Sequence, residues 1–100
     1  MARFNVCVPQ TIGFEAAMAR IQPFLDDVCR NYAHEVSDVH HQWYDNRLEF
    51  TFTARGLQMQ GTLVVEEDAV QVSGPLQWAL LPFRARIEET IQQKLQTLLR

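Results

Sequence analysis

Apolar and polar residues alternate from Arg3 to Pro9, with Phe4, Val6 and Val8 on one side. That period of two predicts a half-buried strand, and Pro9 ends it because proline has no amide hydrogen for a ladder. Past Thr11, a residue able to cap a helix, the period changes. Phe14, Met18, Ile21, Leu25, Val28 and Tyr32 recur at steps of four, three, four, three and four, so a helix to about Ala33 carries one apolar stripe, expected to be a core contact. Pro23 falls about 180° around the helix from that stripe, where its lost hydrogen bond and ring clash predict either a bend convex to solvent or two shorter helices.

Four further strands follow. From Val39 to Asp45, Val39, His41 and Trp43 share one face and His40, Gln42 and Tyr44 the other. Asp45-Asn46 signals a turn. Leu48, Phe50, Phe52 and Ala54 alternate with Glu49, Thr51 and Thr53, the clearest strand and the expected centre of the sheet. After a reversal at Arg55-Gly56, Leu57, Met59, Gly61, Leu63 and Val65 alternate with Gln58, Gln60, Thr62, Val64 and Glu66. Gly61 falls on the apolar side, where a missing side chain predicts a bulge or the close approach of a helix. Glu67-Asp68 turns the chain into a last strand with Val70 and Val72, whose inward face thins at Gly74 and which Pro75 places at an edge or a strand end.

The dense apolar run Leu76-Gln77-Trp78-Ala79-Leu80-Leu81-Pro82-Phe83 comes next, with Pro82 suited to the first turn of a helix. From Phe83 the residues Ile87, Ile91, Leu95 and Leu98 keep a helical period, while Arg84, Arg86, Glu88, Glu89, Gln92, Gln93 and Lys94 supply its wet faces. Four successive antiparallel strands make a meander, and two amphipathic helices must cover one face of it. The expected fold is α+β, in the order β-α-β-β-β-β-α, with both helices on one face of an antiparallel sheet. Residues 1–100 are read as a single domain, since a chain of that length buries roughly two-thirds of its unfolded surface around one core.

Composition narrows the function classes. Hydrophobic residues make up 47% and charged residues 21%, away from the regime of disorder. The net charge of −3 comes from nine basic and twelve acidic residues, interspersed without runs, so no field is expected to draw in nucleic acid. Cys7 and Cys29 have neither the spacing of a disulfide framework nor that of a zinc site, and reduced thiols are expected. The first residues lack the apolar run of a signal peptide, and no stretch reaches the length of a membrane span, so a cytoplasmic protein with no transmembrane segment is expected.

Candidate chemistry is sparse. His34, His40 and His41 lie near Glu35 and Asp38, but His40 and His41 are strand neighbours that point to opposite faces, and no metal site is expected. His41, beside Trp43 on the apolar face, reads as a satisfied sheet histidine. Cys7 on the first strand and Cys29 on the flank of the helical stripe read as packing residues, not nucleophiles. Ser37 and Ser73 sit in no nucleophile elbow, the four glycines are too scattered for a phosphate loop, and Glu66, Glu67 and Asp68 read as a solvated hairpin tip. No enzyme activity and no cofactor are expected. Trp43, Phe50 and Phe52 read as core. Trp78, Leu80, Leu81 and Phe83 are harder to bury together, because consecutive apolar residues cannot all face one way; part of that surface is expected to be exposed or to contact a partner.

The segment Gly56 to Leu99 resembles the bacterial polyhydroxyalkanoic acid system protein family, proteins of the polymer-granule region. The pattern that carries the likeness is Gly56-x-x-x-x-Gly61-x-Leu63-x-Val65, then Asp68-x-Val70-x-Val72, Leu76, Leu80-Leu81-Pro82-Phe83 and Ile87-Glu88-x-x-Ile91-x-x-x-Leu95. The N-terminal strand and the helix from Ile12 to Ala33 also fit in length and order. Pro23 and the aromatic strand around Trp43-Tyr44 depart from the usual pattern. The resemblance implies a link to storage-polyester metabolism and brings no catalytic residues. Three readings follow. In the first, the chain is an accessory or granule-associated protein whose partner is the polyester surface or a granule protein, held through Trp78, Leu80, Leu81 and Phe83. In the second, the sheet and last helix form a reduced version of the helix-grip lipid-binding folds, with His41, Trp43, Phe50, Phe52, Met59 and Ile91 lining a pocket for an apolar ligand. Small size argues against such a pocket. In the third, the apolar patch and an open sheet edge form a homodimer or a contact with a partner protein.

Overall fold

The computed structural model describes residues 2–31, 34–54 and 56–100, except for the side chains of Leu25, Val28 and Cys29. Strand β1 (Arg3–Pro9) leads to helix α1 (Phe14–Asn31), then to β2 (Val36–Tyr44), β3 (Arg47–Ala54), β4 (Leu57–Val65) and β5 (Ala69–Pro75). A 3₁₀ segment (Trp78–Phe83) and helix α2 (Arg84–Leu98) follow. The architecture is α+β with the expected order of strands and helices. The four later strands form the meander, and β1 joins beyond its last member, giving the antiparallel order β1-β5-β4-β3-β2.

This order explains the length of α1. The chain leaves β1 at one edge and must reach β2 at the other, across four inter-strand gaps of about 4.8 Å. An 18-residue helix covers about 27 Å, enough to cross diagonally. Pro23 leaves α1 as one helix, with its ring on the exposed side.

The inward face of the sheet is a set of rows. Trp43, Leu48, Leu63, Val72 and Val6 pair in sequence across all five strands, and His41, Phe50 and Gly61 begin the next row, which Gly74 and Phe4 complete. Phe4, Val6, Val8, Leu48, Leu63, Val65, Val70 and Val72 are buried there with Ala17 and Ile21 of α1, Leu76, Leu95 of α2 and Leu99. Among the described residues the other face carries no helix and is mainly polar, with Asn5, Gln42, Glu49, Thr51, Gln60, Thr62 and Gln71 on it.

Several sequence expectations change in detail. Phe14 is exposed, and α1 buries Ala17 and Ile21 with Met18 half-buried beside them, because the inward direction at the start of the helix passes through Ala17. Of the rest of the expected stripe, Tyr32 and the side chains of Leu25 and Val28 lie outside what the structure describes. Thr11 is not the cap: helix α1 starts after Gly13, whose φ is 93°, and the side chain of Gln10 accepts the amides of Ile12 and Gly13, each at 2.9 Å. The same amide donates to Glu66 O at 3.0 Å and Glu67 O at 2.7 Å, tying the β1–α1 corner to the β4–β5 turn.

At Gly61 there is no bulge and no helix: the Phe50 ring of the neighbouring strand lies over it, and a Cβ there would stand 2.5 Å from Phe50 Cζ. A bulge sits instead between Ser37 and His40 of β2, where Asp38 has a φ of 52°. Pro82 belongs to the 3₁₀ segment rather than to the first turn of α2.

Candidate functional site

Pro75 ends β5, and Leu76 turns inward, its amide bonded to Ala2 O at 2.8 Å. Gln77 is extended, and its side-chain amide donates to Gln58 O of β4, pinning the start of the 3₁₀ segment beside that strand. From there the backbone tightens, with Leu80 N bonded to Gln77 O at 2.9 Å. Three residues per turn place Trp78 and Leu81 on one ridge. Leu80 packs against the core, while Trp78 is 89% exposed, Phe83 52% and Leu81 37%. No residue of the segment is buried.

Covering a large apolar side chain fully contributes about 1.5–3 kcal/mol, so leaving Trp78 and Phe83 largely in water forgoes a sizeable part of what holds a small domain together. Arg84 and Arg86 follow immediately on exposed positions, and α2 then presents Ile87, Ile91, Leu95 and Leu98 inward. The result is a short apolar ridge followed by an amphipathic helix with cations at its start.

A second apolar region adjoins the segment's anchor. Strand β4 pairs with β5 only from Thr62 to Val65, so its first half is held by β3 alone. On the inward side of that half, Phe52, Ala54, Leu57 and Met59 are half-buried and stand outside the core cluster. Phe50 and Phe52 stack with centroids 6.4 Å apart.

The six residues expected around a pocket separate into two groups. Trp43, Phe50 and Ile91 pack against the core, whereas Phe52 and Met59 sit in the outer half of the hairpin and His41 is exposed on β2. An open concavity of about 650 Å³ lies over the helix-free face, bordered by Arg3, His40, Gln42, Glu49, Thr51, Gln60 and Thr62, with His41 and Phe50 at its margin. Another, of about 580 Å³, lies between α1 and α2 and is bordered by Arg20, Phe24, Gln93, Lys94, Thr97 and Leu98. Neither contains Trp43, Phe52, Met59 or Ile91.

The polar candidates are dispersed. Among the described residues no three of His, Cys, Asp or Glu gather as metal ligands. Cys7 is exposed on the helix-free face, and Cys29 lies outside the described side chains. Among the described residues no helix is long and apolar enough to cross a membrane. Gln10, a polar residue 5% exposed, was the feature most open to being missed; its signal was its place, continuing the inward series Phe4, Val6, Val8.

No curated protein and no solved structure matches the chain. A family model does, over residues 5–99, nearly every element from β1 to α2. The chain belongs to the family described as "Putative polyhydroxyalkanoic acid system protein (PHA_gran_rgn)".

Proposed function

We propose that this chain is a non-enzymatic accessory protein of the bacterial polyhydroxyalkanoate system that attaches, in the cytoplasm, to the surface of polyester granules. The observation that carries the reading is the set of Trp78, Leu81 and Phe83, held out in water by a 3₁₀ segment in which Leu80 alone packs against the core. A polymer granule presents an apolar surface to water. An exposed apolar ridge lowers its free energy by entering such a surface, and the amphipathic α2 beside it gives the docked molecule a wet side. The family's description links the chain to the polyhydroxyalkanoate system, whose polymer is apolar, and this supports the reading.

The test is co-sedimentation with isolated granules at physiological salt. The chain is expected in the pellet, with the indole emission of Trp78 shifted to the blue as it leaves water. A Trp78→Ser/Phe83→Ser variant is expected to remain folded and in the supernatant. If the unaltered chain stays in the supernatant, the reading is wrong.

A further inference from the structure

The two edges of the sheet are treated differently. Along β1 the outer edge is occupied: Asn5 N donates to the Glu88 carboxylate at 2.7 Å, and α2 lies against that strand. At the other end β2 is the terminal strand and, among the described residues, pairs with β3 alone. Its first half is blunted by the bulge between Ser37 and His40, with Asp38 at φ 52°. The stretch His40–Tyr44 is regular and carries no Asp, Glu, Lys or Arg. Lysines, prolines and bulges are the usual guards of an edge, and this stretch has none of them.

Which main-chain groups face outward follows from the turn. Tyr44 and Arg47 close a two-residue hairpin over Asp45-Asn46, with Asp45 at φ 56°. Closing residues of such a hairpin exchange hydrogen bonds, so Gln42 and His40 do the same with Glu49 and Thr51, and the amides and carbonyls of Trp43 and His41 point away from β3. Trp43 O confirms the direction, since it accepts the side-chain amide of its own neighbour, Gln42, at 3.2 Å.

We infer that β2 pairs antiparallel with β2 of a second copy of this chain, about a two-fold axis at Gln42, to give a continuous ten-stranded sheet. In that register His41 lies opposite Trp43 of the second copy and exchanges both main-chain bonds with it, which uses all four outward groups of each strand. Gln42 meets Gln42, and His40 meets Tyr44. No like formal charges oppose each other, and the imidazole–indole and imidazole–phenol pairs are of the kind that stabilises cross-strand contacts. Because β1 is covered by Glu88 and α2, and the free half of β4 lies inside the sheet with Gln77 bonded to Gln58 O, β2 is the terminal edge each molecule offers, and the assembly stops at two instead of growing into a fibre.

Sedimentation at micromolar concentration is expected to give twice the chain mass. Gln42→Lys places two ammonium groups directly opposite each other and is expected to weaken association at least about tenfold. His41→Pro, which removes an outward amide only, is expected to do the same. A chain with Cys7 and Cys29 changed to Ser and Gln42 to Cys is expected to cross-link to a dimer under mild oxidation, because facing residues of a non-hydrogen-bonded pair stand about 4.5 Å apart at Cα, within disulfide range. Circular dichroism reports folding of each variant. A wild-type monomer, a larger polymer, or a dimer insensitive to Gln42→Lys but lost in Trp78→Ser would each overturn the inference.

Discussion

Gln10 concentrates more structural work than any other polar side chain among the described residues. Its amide oxygen and nitrogen join the start of α1 to the turn before β5, and its own backbone amide bonds to Asp68 O at 3.0 Å. Gln10→Ala would remove the partner of two amides and two carbonyls at a part-buried corner. A loss of about 2–3 kcal/mol in urea unfolding is expected, with the midpoint lowered and the slope unchanged. The glycines of the inward face make a paired comparison. A Cβ at Gly61 meets the tip of the Phe50 ring, a side chain able to move, so Gly61→Ala is expected to cost about 1–3 kcal/mol. At Gly74 the obstruction is backbone, with Gln60 O at 2.5 Å and Gly61 Cα at 2.9 Å, so Gly74→Ala is expected to cost more than Gly61→Ala under the same conditions.

Among the elements, the 3₁₀ segment separates surface from core within six residues. Trp78→Ser is expected to change stability by no more than about 0.5 kcal/mol, as exposed sites do, whereas Leu80→Ala is expected to cost at least about 1 kcal/mol. Helix α1 offers the opposite case. Pro23 stands in its interior without an amide hydrogen, and Pro23→Ala is expected to raise the thermal midpoint, corresponding to about 1–2 kcal/mol once the looser unfolded chain is counted. Most elements were legible because their periods are clean: Phe4, Val6 and Val8 could only be a half-buried strand. The pairing of β1 with β5 was not legible, since register between distant strands leaves no local mark. Nor was the outer half of the β3–β4 hairpin, where Phe52 reads as core and Met59 as a pocket residue, because alternation shows which face a residue takes but not how far along the sheet the helices reach. Trp78 to Phe83 stood out for a simpler reason: too many consecutive apolar residues for one face to hold. Which of them turns inward depended on the 3₁₀ geometry around Pro82.

At the scale of the molecule, contacts between early and late parts of the chain close a fold whose other strands pair with their neighbours in sequence. Strand β1 pairs with β5 along its whole length from Arg3↔Pro75 to Pro9↔Ala69, and α2 packs on β1. The guanidinium of Arg20 in α1 donates to Leu98 O at 3.2 Å and to Arg100 O, where the α2 dipole places negative charge. Removing any one tie loosens the rest, so calorimetric and van't Hoff enthalpies of unfolding are expected to agree, as for a single cooperative unit. The β1–β5 pairing also sets a timetable during synthesis. Roughly sixty residues separate Pro9 from its partner Ala69, and at about 5–20 residues per second the first strand waits about 3–12 s for its neighbour to be made. Through that interval Phe4, Val6 and Val8 have no ladder to join, while the β2–β3–β4 hairpins can already close. The nascent chain is therefore most exposed to aggregation, and most in need of a chaperone, before β5 emerges.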